Sequence, residues 1–266
     1  MNASETMTDG DGGYGALVEA FLGHRRDTPV LLQHFCEARP ADARGPALRA
    51  LMLTLLARRE LHLPAQEAAA EAARLFDNSG GDLPERAFVQ AASAAAHGAW
   101  PAAIDRLEQV ISLDPLNTMA IKLSHAFRFM LGDKAGMRYS ITRALRAIPE
   151  DHSHYGYLLG CAAFAAEENG DFSAAERMGH RAVLCQPCDA WGLHAVSHVH
   201  EMTGRFEDGI RWIETHRGTF ETCNNFGGHL FWHLALFKLE QGAIGEVYAL
   251  YDQHIRAEKT DDFRDV

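Results

Sequence analysis

Five glycines recur at nearly constant intervals along the chain, and this spacing constrains the fold more than any other feature. The intervals are 34, 38, 34 and 38 residues, between Gly98, Gly132, Gly170, Gly204 and Gly242. After each of the first three, a helical pattern runs to a proline seventeen residues further on, at Pro115, Pro149 and Pro187. A turn glycine, a helix and a proline that ends it describe half of a helical hairpin. A period of this length is typical of stacked helical hairpins that bury their apolar faces against one another.

A small residue stands five positions after several of these glycines and would let neighbouring helices approach closely, at Ala103, Ala175 and Gly209. The recurring glycine, small residue and proline together resemble the tetratricopeptide repeat, in five units over about residues 85 to 257. The last two units depart from the pattern, because Glu221 and Lys259 stand where the proline would be.

The part of the chain before the repeats also has helical patterns. The segment AQEAAAEAARLF (65–76) combines strong helix formers with early acidic residues and a late arginine. The segment LRALMLTLLARREL (48–61) is apolar on all sides, as a buried helix is. The sequence therefore predicts an all-α fold, a right-handed α-solenoid of about ten or eleven helices. We expect a disordered tail (1–13), an N-terminal helical cap (14–82), the repeats (83–257) and a C-terminal tail (258–266).

A wider resemblance covers most of the chain. The segments AFLGHRRDT (20–28), YGYLLGCAAFAAEENGDFSAAERMGHRAV (155–183), DAWGLHAVSHVHEMTGRFEDGIRWIE (189–214), CNNFGGHLFWHLALFKLEQG (223–242) and LYDQHIRAE (250–258) are similar to the tetratricopeptide repeat protein 38 family and its bacterial relatives. Members of that family usually continue beyond the point where this sequence ends, so the resemblance implies a short or truncated member. It implies a scaffold and assigns no activity to particular residues.

Composition limits the kinds of molecule that we expect the protein to bind. The net charge of −11 and the absence of a dense basic cluster argue against nucleic acid. The first fifteen residues are acidic and glycine-rich, unlike a secretory signal, and no run approaches eighteen apolar residues, so we expect a cytoplasmic protein without a membrane partner. Five scattered cysteines suit a reducing compartment. The apolar segment VYALYDQHI (247–255) makes a homodimer a further hypothesis.

A polar stripe lies in the segment WGLHAVSHVHE (191–201), where His194, His198 and Glu201 share one helix face. In repeats of this kind the first helix of each hairpin lines a concave face. That concave face would form a groove, and the residues thirteen, ten, six and three positions before each turn glycine should line it. This count predicts a groove wall of Tyr157, Glu167, Trp191, His194, His198, Glu201, His229 and Trp232. The opposite face, which includes Met202, would supply the packing and leave the stripe free.

Two classes of function follow, with purely structural histidines as a third interpretation. The groove could bind a peptide, a protein or a small molecule between Trp191 and Trp232. Alternatively, the chain could be a metal-dependent enzyme, hydrolytic or oxidative, that uses zinc, iron or manganese. The candidate ligands for that metal are His194, His198, Glu201, His229 and His233. Two histidine pairs four residues apart are unremarkable among fifteen histidines, so only their predicted groove position raises them above chance.

Three cysteines have separate interpretations. Cys185 and Cys188 form the motif CQPC, which aligns with LDPLN (113–117) at an inter-repeat turn. We therefore expect small buried cysteines there and no zinc or redox pair. A weaker hypothesis makes Cys223 a nucleophile with a groove histidine as its base.

Overall fold

The computed structural model describes residues 13–256, and every regular element in that range is helical. The predicted all-α fold is confirmed. The tails predicted at residues 1–13 and 258–266 fall almost wholly outside the described residues. None of the described helices combines the length and apolar character needed to cross a membrane.

The described residues form fifteen α-helices, against the ten or eleven predicted. Three of the fifteen have only nine, four and seven residues, too few to show a clear helical period in the sequence. The helices are α1 (Tyr14–Leu22), α2 (Thr28–Ala38), α3 (Arg44–Leu55), α4 (His62–Ser79), α5 (Leu83–Ala96), α6 (Trp100–Leu113), α7 (Thr118–Met130), α8 (Lys134–Ala147), α9 (Tyr155–Glu168), α10 (Phe172–Cys185), α11 (Ala190–Met202), α12 (Phe206–Thr215), α13 (Arg217–Phe220), α14 (Phe226–Glu240) and α15 (Ile244–Leu250). A 3₁₀ turn precedes α4 (Arg59–Leu61), and a π-helical turn follows α15 (Tyr251–Ile255).

These elements divide into two compact units. Within the described residues, the first unit comprises residues 13–21 and 27–148. The second comprises residues 22–26 and 149–256, and it contains the histidine stripe.

The five turn glycines end the first helix of five hairpins, as predicted. Each has a backbone φ between 69° and 78°, a left-handed conformation that glycine adopts without steric cost. The residue after each glycine donates its N–H to a carbonyl five residues earlier, at 2.9 to 3.0 Å. This is the Schellman arrangement, which satisfies the last carbonyls of the helix. The helix that follows then ends just before the proline in the three hairpins that have one.

Close helix packing positions α11 in the second unit. Gly160 on α9, Gly179 on α10 and Gly192 on α11 each lie where an added Cβ would collide with a neighbouring side chain or backbone atom. Asp189 caps α11 by accepting from the N–H of Gly192 at 3.1 Å. The α11 helix is thereby held at short range against α9 and α10, and nearly all of its residues are buried.

The prediction that the two cysteines of the CQPC motif are buried is wrong. Cys185 and Cys188 are both exposed. The alignment with the earlier turn holds, but Leu113 and Leu116 in that turn are themselves 44% and 49% exposed. The turn presents these positions to solvent in both repeats, so the cysteines are not core residues.

Candidate metal centre

Four histidines converge in the second unit. His194 and His198 lie one turn apart on α11, and His229 and His233 lie one turn apart on α14. The Nε2 atom of His194 is 2.9 Å from those of His198 and His229, and the Nε2 atoms of His229 and His233 are 3.1 Å apart. One ring nitrogen from each histidine lies within 4.8 Å of the other three. We call these four residues the histidine cluster.

Protons alone cannot satisfy these contacts. Each Nε2 has a single in-plane direction, which carries either an N–H or a lone pair. Four such atoms can form at most two hydrogen bonds among themselves, yet three pairs are in contact. At least one of the three contacts therefore has no hydrogen bond of its own. A cation at the centre would accept all four lone pairs.

Two carboxylates lie beside the outer ring nitrogens, which face away from the centre of the histidine cluster. The Nδ1–H of His233 donates to Glu201 at 3.0 Å, and the Nδ1 atom of His198 is 3.5 Å from a carboxylate oxygen of Glu167. A proton held at Nδ1 leaves the lone pair of Nε2 directed at the centre of the cluster. This arrangement of carboxylate, imidazole and metal recurs in metalloproteins, where it orients the ligand and raises its basicity.

Burial keeps two of the imidazoles neutral. It lowers the pKa of His194 well below its ordinary value, and the neighbouring His198 adds to the effect. Burial also lowers the pKa of His233, although the Glu201 carboxylate opposes this. The hydrogen bond from His233 in turn lowers the pKa of Glu201, so that carboxyl is ionised at neutral pH. Neutral imidazole is the form that ligates metals.

Aromatic rings enclose the cluster. Phe164 stacks on His194 with ring centroids 5.5 Å apart, and Trp191 and Phe226 lie at 5.3 and 5.1 Å from the same ring. Trp232 stacks on His229 at 5.5 Å. These rings exclude water from one side of the cluster, which strengthens electrostatic interactions within it.

His24 comes from a remote part of the chain and completes this wall. Its ring stacks on Trp191 and Phe226 with centroids 5.5 and 4.6 Å apart. Its backbone has a φ of 54°, an uncommon conformation for a residue with a side chain. The N–H of Asn224 donates to the His24 carbonyl at 2.8 Å and holds this segment in place.

The predicted groove wall is more buried than the sequence analysis expected. Tyr157, Glu167, Trp191 and His194 are all less than 9% exposed, and the other four residues are partly buried. The stripe is therefore not free on an open face. Met202, assigned to the packing face, is the last residue of α11 and is 63% exposed, like the turn residues that follow it.

The structure brings together most of the predicted ligands but changes the role of one. The four histidines present their nitrogens to one another, whereas Glu201 contacts the outer nitrogen of His233. Tyr157 is buried and meets the ring of His154 edge-on at 6.3 Å. The sequence analysis did not include Phe226 in the groove wall. This residue lies sixteen positions before Gly242, one helical turn before the first position that the count used. No comparable signal marks His24.

Cys223 does not have the environment of a nucleophile. Its thiol is buried and donates to the carbonyl of Gly23 at 3.6 Å. Burial raises its pKa to about 12. A thiol of this kind stays protonated at neutral pH and attacks slowly.

No protein-family model matches the sequence. Among solved structures, the chain is similar to a tetratricopeptide repeat protein from Parabacteroides merdae ATCC 43184, with a TM-score of 0.54 and 14% identity over 93% of this chain and 94% of that one. It is also similar to a structure of Naa15/Naa10 bound to HypK-THB, with a TM-score of 0.36 and 13% identity over 90% of this chain and 35% of that chain. The first likeness shows a tetratricopeptide-like fold of the α-solenoid class.

Proposed function

We propose that the protein binds one divalent transition-metal ion per chain, between α11 and α14, through the Nε2 atoms of His194, His198, His229 and His233. The observation that carries this proposal is the convergence of four ring nitrogens whose three close contacts exceed the two hydrogen bonds that they can form with one another. The outer carboxylates of Glu167 and Glu201 support it, because their two negative charges offset the two positive charges of such an ion.

The spacing of the nitrogens suits a metal after a small adjustment. Zinc–nitrogen bonds of about 2.0–2.1 Å at tetrahedral angles place the nitrogens about 3.3–3.4 Å apart. The three contacts of 2.9 to 3.1 Å would open by a few tenths of an ångström, and the other three pairs, which all lie within 4.8 Å, would close where they exceed that distance. An all-imidazole set favours zinc, iron, copper or nickel over manganese, which prefers oxygen ligands. Manganese, named from the sequence, is therefore the least suitable of the three candidates.

The same geometry makes a peptide groove at these residues the weaker candidate. Trp191 is 8% exposed and His194 is 3% exposed, so a peptide backbone could not reach them without rearrangement of the helices. A tetratricopeptide-like scaffold still offers other surfaces on which a protein partner could bind. We assign such binding to the scaffold and metal binding to the histidine cluster.

We also propose membership of the tetratricopeptide repeat protein 38 family, together with the division into a cap (14–82) and repeats (83–257). The family resemblance rests on quoted segments that include the whole of α11 and of α14. Those two helices carry the whole histidine cluster.

Titration of metal-free protein with Zn²⁺ by calorimetry tests the metal proposal. The parent should bind one ion per chain, and the double variant His194→Ala/His198→Ala should lose at least a hundredfold in affinity, because two ligands are gone. The matched control is His180→Ala/His216→Ala, which removes two histidines of the same unit that lie outside the cluster. Equal binding by both double variants would refute the proposal.

A further inference from the structure

A cavity of about 540 Å³ adjoins the histidine cluster, and His229 belongs to both. Its other lining residues include Arg26, Asn224, Asn225, Gly228, Phe231 and His254. The volume is within the range of small-molecule sites. A molecule in this cavity would lie against one of the four proposed metal ligands.

Arg26 supplies a positive charge at the cavity wall. Its guanidinium donates to the backbone carbonyls of Thr222, at 3.3 Å, and of Glu221. These neutral oxygens orient the side chain without cancelling its charge. The Glu221 carboxylate is bound instead by Arg217, at 2.7 Å. A guanidinium held in this way is suited to a carboxylate ligand.

Apart from the Glu221 carboxylate, which is paired with Arg217, the remaining wall is uncharged and mixed in polarity. His254 accepts from the guanidinium of Arg217 at 2.9 Å, and both burial and that arginine lower its pKa. The same ring stacks on Phe231 with centroids 3.9 Å apart, which forms an apolar surface. Asn224 and Asn225 add amide groups that can fix the orientation of a ligand.

A glycine keeps part of this space open. Gly228 lies in the first turn of α14, where glycine weakens a helix relative to alanine. A Cβ at Gly228 would lie 3.4 Å from the carbonyl oxygen of His254, which is an ordinary contact distance. A larger side chain at this position would not clash with that backbone but would project among the residues that line the cavity. The space that this glycine leaves is available to a ligand.

We propose that the cavity binds a small organic carboxylate, with its charged group at Arg26 and its apolar body against Phe231, and that this binding is coupled to the metal through His229. The inference rests on the proposed metal site. Occupancy of the cluster by a divalent cation would add positive charge beside the cavity and offset the negative charges of Glu167 and Glu201, which are uncompensated there in the metal-free protein. The anion should therefore bind more tightly to the metal-loaded protein than to the metal-free protein.

Benzoate is a suitable probe, because it carries one carboxylate on an apolar ring and does not strip metal as a chelating anion would. Calorimetry on Zn²⁺-loaded protein should show benzoate binding and much weaker binding of neutral benzamide. Arg26→Gln should weaken benzoate binding about 10- to 100-fold, the size of a charge-assisted hydrogen bond. Gly228→Leu should abolish it, while both variants still bind one Zn²⁺. Controls are Arg211→Gln and Gly245→Leu, which alter residues of the same unit outside the cavity.

The outcomes separate the two proposals. Benzoate binding that depends on Arg26, on an open Gly228 and on metal loading supports the cavity inference. Zn²⁺ binding with no benzoate binding, or with benzoate binding that neither variant nor metal changes, overturns the cavity inference and leaves the metal site intact. A parent protein that binds no metal overturns both.

Discussion

The Nε2 atoms of His194 and His229 lie 2.9 Å apart, although 35 residues separate them in the chain. The two histidines belong to the first helices of consecutive hairpins, and the turn glycines of those hairpins are 38 residues apart. The repeat therefore brings similar positions of α11 and α14 side by side. A histidine pair four residues apart on each helix then yields four converging nitrogens from one structural period.

The outer carboxylate of Glu201 should strengthen metal binding without contacting the metal. Replacement by glutamine keeps the shape and removes the charge, and loss of such a partner typically costs 10- to 100-fold in affinity. We expect a fall of about that size in the Zn²⁺ affinity of Glu201→Gln, measured by competition with a chromophoric chelator. The exposed Glu207 on α12 provides the control variant Glu207→Gln. An affinity unchanged in both variants would show that Glu201 plays no part.

Alkylation should distinguish the cysteines. Cys185 and Cys188 are exposed, whereas Cys223 is buried and its pKa is raised to about 12 by that burial. Iodoacetamide at neutral pH should therefore label the first two and spare the third, as read by peptide mass spectrometry. Rapid labelling of Cys223 in the folded protein would restore it as a nucleophile candidate.

Two glycines should respond oppositely to alanine. A Cβ at Gly209 would come within 2.5 to 2.9 Å of the buried ring of Phe237, whereas one at Gly245 would meet nothing within 4 Å. Gly209→Ala should lower the free energy of unfolding by about 1–3 kcal/mol through overpacking. Gly245→Ala should raise it by up to about 1 kcal/mol, because alanine favours the helix. Urea denaturation measures both, and equal effects of the two changes would contradict the packing described for α12 and α14.

Acid should destabilise the first unit through His125. Burial, with a smaller effect of Lys122, lowers the pKa of this histidine to about 3. The unfolded chain binds a proton there below about pH 6.5 and the folded chain does not, so stability falls as the pH drops from that value towards the folded pKa. The loss should approach about 1.4 kcal/mol per pH unit below pH 6.5.

The variant His125→Gln removes this proton and should lose less stability than the parent between pH 7 and pH 4. Urea unfolding of metal-free protein at both pH values gives the comparison. Identical pH dependence in parent and variant would mean that His125 is not held neutral in the folded state.

Local chemistry explains what the sequence could predict. A glycine that must adopt a positive φ marks a turn wherever it recurs, so the hairpins followed from Gly98 to Gly242 without any knowledge of packing. The four-residue spacing within α11 and within α14 likewise placed each histidine pair on one helix face. All four cluster histidines were among the predicted ligands for this reason.

Tertiary packing explains the rest. The burial of Trp191 and His194 depends on how closely α9 and α14 approach α11, which no periodicity within α11 reports. Glu201 shares a helix face with His198, but the distance to His233 on another helix decides that it is an outer partner. His24 reaches the cluster from a segment nearly 200 residues away, which is paired with the loop before α14.

The central claim is tested most directly by elemental analysis of the untagged protein, purified without chelators, beside the His194→Ala/His198→Ala variant. The account predicts close to one transition-metal ion per chain in the parent and almost none in the variant. An equal metal content in the two proteins, or no metal in the parent even after reconstitution with Zn²⁺, would contradict it.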